Sequence, residues 1–199
     1  MNSPQPLSPV DGATPRSDYG AAPQAASILG IADLSIHPRA GAKGPGTADW
    51  LAGFGLPIPY RPNNWCLLPN GGLIARMGLT EYMVEGDQEL SDRIMQANRA
   101  PGVYPVLRQD ASFALCGSRI NELFLQTCNV DFRTLDADPS KLVLTSMAGV
   151  SVMVLATQTG PAPCYRLWCD GTYGFYLWET LAGITQELGG GCIGPDVLQ

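Results

Sequence analysis

The pattern of apolar and polar positions along the chain is organised around the stretch from Arg108 to Val130, which predicts a strand, a glycine and an amphipathic helix. An apolar run over residues 111–116 is typical of a strand, and Gly117 ends it. The spacing then predicts a helix over residues 118–128, with Ser118 at the N-cap position and Glu122 near the positive end of the helix dipole. The apolar face of this helix holds Ile120, Leu123, Phe124 and Cys128.

The same order of predicted elements occurs twice, at about residues 31–98 and 108–188. Each copy has a strand, a glycine, a short helix, two or three strands and a longer helix. The residues repeat in part, because Asp33-x-Ser35 corresponds to Asp110-x-Ser112. The pattern predicts an α+β fold of two pseudo-symmetric β-α-β-β-α units that form a single domain over residues 29–199.

Within these copies, turn residues and caps set further boundaries. Asp87 is expected to cap a helix that runs to about Ala97, and the Ala148-Gly149 pair to join two strands. Residues 41–46 are predicted to form a glycine-rich loop, and residues 173–188 a long helix closed by Gly189. The expected apolar positions of that helix are Phe175, Tyr176, Trp178, Leu181 and Ile184.

Residues 1–28 are rich in Pro, Ala, Ser and Gly and contain few large apolar side chains. Such a segment buries too little surface to offset the entropy lost on ordering, so a flexible tail is predicted. An arm that wraps around a partner protein is the alternative.

Composition narrows the function classes. The 199 residues carry a net charge of -6, and the Lys and Arg residues are scattered singly, which argues against nucleic-acid binding. Apolar runs are too short to span a membrane, and no signal-peptide pattern is present, so a cytoplasmic protein is expected. Charged residues make up only 15% of the chain, which favours a surface that is covered in part by a partner.

The chain offers few residues for metal or nucleophilic chemistry. His37 is the only histidine, and none of the six cysteines forms a C-x-x-C pair. No metal site and no Ser/His/Asp triad is predicted, and the cysteines are interpreted as reduced core residues. The loop Gly41–Gly46 does not match either phosphate-binding glycine motif.

Three residues remain as candidates for a cofactor- or substrate-binding site, and no catalytic residue is predicted. Asp110 lies beside a buried strand with Arg108 two residues away, and Asp33 holds the corresponding position in the first copy. A carboxylate there could orient a substrate amine. A structural hydrogen bond is the alternative.

Several short motifs occur in one order along residues 31–188. The first half contains Gly41-x-Lys43-Gly44-Pro45 and Gly72-x-Ile74-Ala75-Arg76-Met77-Gly78-x-x-Glu81-Tyr82. The second contains Arg108-Gln109-Asp110-x-Ser112, Leu123-Phe124-Leu125 and Cys128-x-Val130-Asp131. In this order the chain resembles the sarcosine oxidase gamma subunit family and, more distantly, the folate-binding superfamily of glycine-cleavage T-protein.

The resemblance implies a fold like the N-terminal region of glycine-cleavage T-protein and a non-catalytic accessory role in one-carbon metabolism. The implied partners are larger flavin- and folate-binding subunits of an amine-oxidising complex. FAD, FMN, NAD and tetrahydrofolate would then belong to those subunits, with no cofactor bound by this chain alone.

One departure from the superfamily bears on activity. Catalytic T-proteins carry an acidic residue after the glycine of a strand hairpin, whereas residues 146–155 of this chain contain no Asp or Glu. The alternative function is a stand-alone folate-binding aminomethyltransferase-like protein, which would have to use Asp110 or Asp33.

Overall fold

The computed structural model describes residues 7–10, 23–69, 71–135, 138–157 and 163–198. Its α-helices are α1 (Pro23–Leu29), α2 (Thr47–Ala52), α3 (Gln88–Gln96), α4 (Ile120–Thr127) and α5 (Gly174–Glu187). Short 3-10 helices span Phe132–Leu135, Gly171–Tyr173 and Pro195–Leu198.

The strands form two sheets, which confirms the predicted α+β class. In chain order they are β1 (Gly30–Asp33), β2 (Arg39–Lys43), β3 (Asn64–Leu67), β4 (Leu73–Arg76), β5 (Glu81–Glu85), β6 (Tyr104–Val106), β7 (Ala111–Cys116), β8 (Leu142–Met147), β9 (Val150–Thr157), β10 (Cys164–Cys169) and β11 (Gly191–Cys192). None of the described helices is long and apolar enough to cross a membrane.

The chain divides into two compact units. Unit 1 comprises Met1–Ile36, Gln109–Pro139 and Val143–Gln199, and unit 2 comprises His37–Arg108 and Ser140–Leu142. The strand of the first predicted copy, β1, lies in the sheet of unit 1, while the rest of that copy builds unit 2. The assignment of residues 29–199 to a single domain stays a prediction.

Unit 1 is built on a six-stranded sheet of order β11-β1-β7-β10-β9-β8. Strand β1 pairs antiparallel with β7 and parallel with β11. Alternate residues of β7 point to opposite faces, so Phe113 and Leu115 enter a core with Ile120, Leu123 and Trp178 from α4 and α5. The rings of Phe113 and Trp178 lie 5.3 Å apart. Helices α4 and α5 therefore cover one face of this sheet.

Unit 2 is built on a five-stranded antiparallel sheet of order β3-β4-β5-β2-β6. Ala40, Ile74 and Val84 point from its strands into a core shared with Leu51 of α2 and Ile94 of α3. As predicted, Asp87 caps α3, because its carboxylate accepts a hydrogen bond from the Leu90 backbone N–H at 2.7 Å.

The structure differs from the flexible-tail prediction where residues 1–28 are described. Residues 23–28 belong to α1, which ends in the fully buried Leu29, and Val10 is 1% exposed in the unit 1 core. Burial of Val10 and Leu29 offsets the conformational entropy that this segment loses on ordering, which the composition alone does not reveal. The rest of the predicted tail, residues 1–6 and 11–22, lies outside the described residues.

Two other local predictions are corrected. Of the loop predicted over residues 41–46, residues 41–43 belong instead to β2, and residues 44–46 form a turn. Gly41 lies within the strand because β5 and β6 flank it and a Cβ would lie 2.7 Å from the Val106 carbonyl oxygen. The α4 N-cap is Arg119 and not Ser118, whose hydroxyl donates instead to the Ser27 carbonyl at 3.1 Å. Gly189 does follow α5 in a left-handed conformation (φ 79°), as predicted.

Candidate functional site

Arg108, one of the three predicted site residues, belongs to unit 2 and lies in an ion pair. Its guanidinium Nη2 is 2.5 Å from Glu81 Oε1, and its side chain is only 9% exposed. Gly41 makes room for it, because a Cβ at that position would lie 2.8 Å from Arg108 Nε and 2.7 Å from the Val106 carbonyl oxygen. The long side chain thus lies across β2.

This ion pair belongs to a larger polar surface, the charged face of the unit 2 sheet, made of Arg39, Lys43, Glu81, Glu85 and Arg108. In the ladder between β2 and β5, Arg39 is directly opposite Glu85 and Lys43 is opposite Glu81. Charges alternate with the apolar residues that point into the core, as the pleat requires. Opposite charges therefore meet across the strands, which stabilises this register.

The Arg39–Glu85 pair is the most deeply buried part of the charged face. Arg39 Nε lies 3.1 Å from Glu85 Oε2, and the two side chains are 2% and 3% exposed. His37 adds a third group, with Nδ1 3.6 Å from Glu85 Oε1, although its own side chain is 41% exposed. Each carboxylate of this face has a cationic neighbour, which favours a structural role over that of a general base.

Asp33, the second predicted residue, holds a turn of unit 1. Its carboxylate accepts a hydrogen bond from the Ser8 hydroxyl at 2.5 Å and from the Ser35 backbone N–H at 3.0 Å. The Ser35 hydroxyl oxygen in turn accepts a hydrogen bond from the Ser112 N–H at 3.1 Å. The two Asp-x-Ser segments noted in the sequence therefore meet side by side at one end of β1 and β7.

Asp110, the third predicted residue, directly precedes β7 and lies in unit 1 with Asp33, while Arg108 is in unit 2. The negative charge of Asp110 acts electrostatically on the Cys169 thiol of the neighbouring strand β10. Burial raises the pKa of that thiol to about 12, and the negative charges of Asp110 and Asp170 add to the effect. A cofactor- or substrate-binding role for Asp33, Arg108 or Asp110 stays a prediction.

Metal-binding groups are not brought together in the part of the chain that the structure describes. No cluster of three or more His, Cys, Asp or Glu side chains there could hold a metal ion. All six cysteines are free thiols.

The hairpin that lacks an acid is formed by β8 and β9. Its turn places Ala148 (φ 49°) and Gly149 (φ 82°) in the left-handed region. Two consecutive positive φ angles are typical of the tight turn whose twist matches that of the paired strands. The predicted hairpin is therefore present, and no carboxylate stands within residues 146–155.

The aromatic residues near the end of the chain fall into two groups. Tyr165, Trp168 and Trp178 are buried in unit 1. A second group, the α5 aromatic patch, consists of Tyr173, Phe175 and Tyr176, each a little over half exposed. The predicted apolar face of α5 is corrected here, because Leu177 is buried where Phe175 and Tyr176 were expected.

The fold has counterparts among solved structures. The chain is similar to one in the heterotetrameric sarcosine oxidase from Corynebacterium sp. U-96, solved in complex with pyrrole 2-carboxylate, with a TM-score of 0.72 and 14% identity. The match covers 92% of this chain and 95% of that chain. The two chains are therefore of similar length.

A second similar structure is the aminomethyltransferase T of the glycine cleavage system from Bartonella henselae, with a TM-score of 0.68 and 10% identity. The match covers 88% of this chain but 51% of that one, so this chain spans about half of the aminomethyltransferase. No protein-family model matches the sequence. No curated protein matches it either. The two structures confirm the fold expected from the resemblance.

Proposed function

We propose that this chain is a non-catalytic accessory subunit of a heteromeric, sarcosine-oxidase-like amine-oxidising complex. The observation that carries the proposal is the match to a chain of a heterotetrameric sarcosine oxidase, because it covers nearly all of both chains. A catalytic domain embedded in a larger enzyme would match only part of its counterpart, as in the aminomethyltransferase comparison.

The chemistry of the described residues supports an accessory role. The carboxylates of the charged face are paired with arginines, and Asp33 is engaged by Ser8 and Ser35. In this proposal the flavins, the nicotinamide cofactor and tetrahydrofolate are bound by larger partner subunits. The chain contributes a binding surface that stabilises those subunits.

Co-expression tests this role. The chain is produced with and without a flavin-containing amine oxidase encoded beside it, and the products are separated by size-exclusion chromatography. We expect the chain to co-elute with the flavoprotein at a fixed ratio and to show no visible flavin absorption when purified alone. A chain that stays monomeric in the presence of each neighbouring flavoprotein would contradict the proposal.

The similarity to aminomethyltransferase T supports one alternative, a stand-alone folate-binding protein that acts through Asp110 or Asp33. Titration calorimetry with tetrahydrofolate separates the two functions. The accessory role predicts no heat of binding for the isolated chain. Saturable binding that is lost in Asp110→Asn would support the alternative.

A further inference from the structure

Two free cysteines of unit 1 lie directly opposite each other on neighbouring strands. Cys116 is the last residue of β7 and Cys164 the first of β10, and the ladder pairs them residue to residue. Both side chains point to the same face of the sheet, away from α4 and α5. There they share a small buried apolar cluster with Ala32, Leu34, Ala114 and Ile193.

The hydrogen bonds around this pair fix its geometry. The Gly117 N–H donates to the Pro163 carbonyl at 3.1 Å, so the next pair along the ladder is the hydrogen-bonded one. Cys116 and Cys164 therefore occupy a non-hydrogen-bonded position, where Cα atoms lie about 4.5 Å apart and side chains approach most closely. That separation is within the range of roughly 4.4–6.8 Å found across disulfides.

The Cys116 thiol is buried, with neighbouring groups on β10, β1 and α1. Burial raises the pKa of the Cys116 thiol to about 11, and the neighbouring Cys164 thiol raises it further. Gly30 on the adjacent strand gives Cys116 space, because a Cβ there would lie 3.1 Å from its sulfur. The Cys116 thiol is also 3.7 Å from the Ala26 carbonyl oxygen of α1.

We propose that Cys116 and Cys164 form a two-thiol redox site, which closes to an intramolecular disulfide in the presence of a peroxide. This inference does not depend on the proposed function. It concerns a covalent modification within unit 1.

The reaction has two steps. The Cys116 thiolate, from the more exposed of the two cysteines, attacks a peroxide oxygen. The O–O bond breaks, and with hydrogen peroxide Cys116 becomes a sulfenic acid while hydroxide leaves; the hydroxide takes up the proton that the thiol released on ionisation and becomes water. The Cys164 sulfur then attacks the Cys116 sulfur, and the S–O bond breaks with release of a second water. The two sulfurs together lose two electrons, which the peroxide accepts.

The structure predicts that the two steps differ in rate. The first is slow near neutral pH, because little of the buried thiol is ionised; its rate should rise about tenfold per pH unit below the thiol pKa. The second step is fast, because the attacking sulfur belongs to Cys164, the residue directly opposite Cys116 in the ladder. The sulfenic acid should therefore not accumulate in the native protein.

Peptide mapping tests the site directly. The folded chain is treated with hydrogen peroxide, remaining thiols are alkylated in denaturant, and trypsin fragments are analysed without reduction. Gln109–Arg119 contains only Cys116 and Leu142–Arg166 only Cys164, so their linked mass identifies this bond alone. We expect that linked pair as the main product, at a rate that increases with pH.

Variants provide the controls. Cys164→Ser should abolish the linked pair and leave a Cys116 sulfenic acid that dimedone traps, while dimedone should not label Cys116 in the parent chain. Cys66→Ser, at a half-buried cysteine of unit 2, should leave the linked pair unchanged.

Two outcomes would overturn the proposal. One is oxidation of other cysteines while Cys116 and Cys164 remain alkylated. The other is a mixture of pairings like that of the urea-unfolded chain, which would show that no native geometry selects the bond. Because the mapping is made on the unmodified chain, a variant that fails to fold does not affect it.

Discussion

The buried Glu85 carboxylate lies between two basic side chains, Arg39 and His37, and its charge offsets a buried guanidinium. An ion pair of this kind adds little compared with a well-packed apolar pair. Removing one partner, however, leaves a charge that water cannot reach. The structure therefore predicts a strong asymmetry between buried and exposed pairs in this chain.

Glu85→Gln should lower the free energy of unfolding by about 3 kcal/mol, because Arg39 keeps its charge and loses this carboxylate. Glu122→Gln is the matched control, since Glu122 forms an exposed pair with Arg119 and its loss should leave the denaturation midpoint almost unchanged. Urea unfolding monitored by circular dichroism measures both. Equal effects of the two variants would contradict the prediction.

The raised pKa of the Cys169 thiol predicts that the free energy of unfolding decreases at alkaline pH. Its pKa is raised to about 12 in the folded chain from an ordinary value of 9.0, so only the unfolded state ionises between these values. The unfolded state then binds fewer protons, and the free energy of unfolding decreases as pH rises through this range. Below pH 9 the thiol contributes no pH dependence.

Cys169→Ala should make the decrease above pH 9 shallower. Urea midpoints at several pH values, compared between the variant and the parent chain, measure the difference. Identical slopes would show that Cys169 does not contribute to alkaline destabilisation.

The ion-pair partners of the charged residues could not be predicted from the sequence. The three candidates Asp33, Arg108 and Asp110 were selected for being charged next to apolar strands. The sequence could not pair Arg108 with Glu81 or place His37 beside Glu85, because those neighbours depend on the register of β2 and β5. The available signal for the charged face is the spacing of Glu81 and Glu85 on β5 and of Arg39 and Lys43 on β2, which places each pair on one face of its strand.

At the scale of elements, α5 contains two glycines with opposite surroundings. Gly183 has open space where a Cβ would be, whereas a Cβ on Gly174 would lie 2.6 Å from Pro9 Cγ and 2.7 Å from Ala111 Cβ. Glycine within a helix is less favourable than alanine by about 1 kcal/mol. The same substitution should therefore have opposite effects at the two positions.

Gly183→Ala should stabilise the chain by roughly 0.5–1 kcal/mol, and Gly174→Ala should destabilise it. Thermal denaturation of both variants measures the two shifts in Tm. A rise in Tm for Gly174→Ala would indicate that Pro9 does not pack against α5 in solution.

Most elements with strong periodicity could be predicted from the sequence, and the exceptions have a shared cause. Strand β2 consists of Arg, Ala, Gly and Lys, which have low intrinsic strand propensity, and β11 contains only Gly191 and Cys192. Both form because neighbouring strands offer hydrogen bonds. The composition does not predict helix α1, because its first residues resemble the Pro/Ala-rich segment before it.

On the scale of the whole molecule, the proposed accessory role requires a surface for a larger subunit. The α5 aromatic patch is a candidate surface, since Phe175 and Tyr176 expose large rings from α5 and Tyr173 exposes one from the short 3-10 helix before it. Aromatic side chains of this kind often dominate binding energy at interfaces. The Tyr176 hydroxyl donates to the Ala148 carbonyl at 3.2 Å, which holds that ring in place.

Phe175→Ala should weaken association with the flavin-containing partner about tenfold, which corresponds to loss of one strong interface contact. Gln186→Ala is the matched control, because Gln186 is an exposed polar residue at the other end of the same helix. Binding of both variants is measured by surface plasmon resonance. Equal affinities would exclude Phe175 from the interface.

The interleaved order of the unit 1 strands could not be predicted from the sequence. Periodicity suggested two consecutive copies, but β1 pairs with β7 and β11, which come from distant parts of the chain. No local pattern encodes such partners.

That strand order has a consequence for synthesis of the protein. As the chain leaves the ribosome, β1 emerges before unit 2, yet its partner β7 follows unit 2 and β11 comes near the end. Gly30 pairs with Cys116 and with Gly191, so the edges of β1 stay unpaired until residues 116 and 191 have been synthesised. Unit 2 can complete its five-stranded sheet earlier. Nascent chains stalled before Gly191 should therefore be the form most in need of chaperone protection.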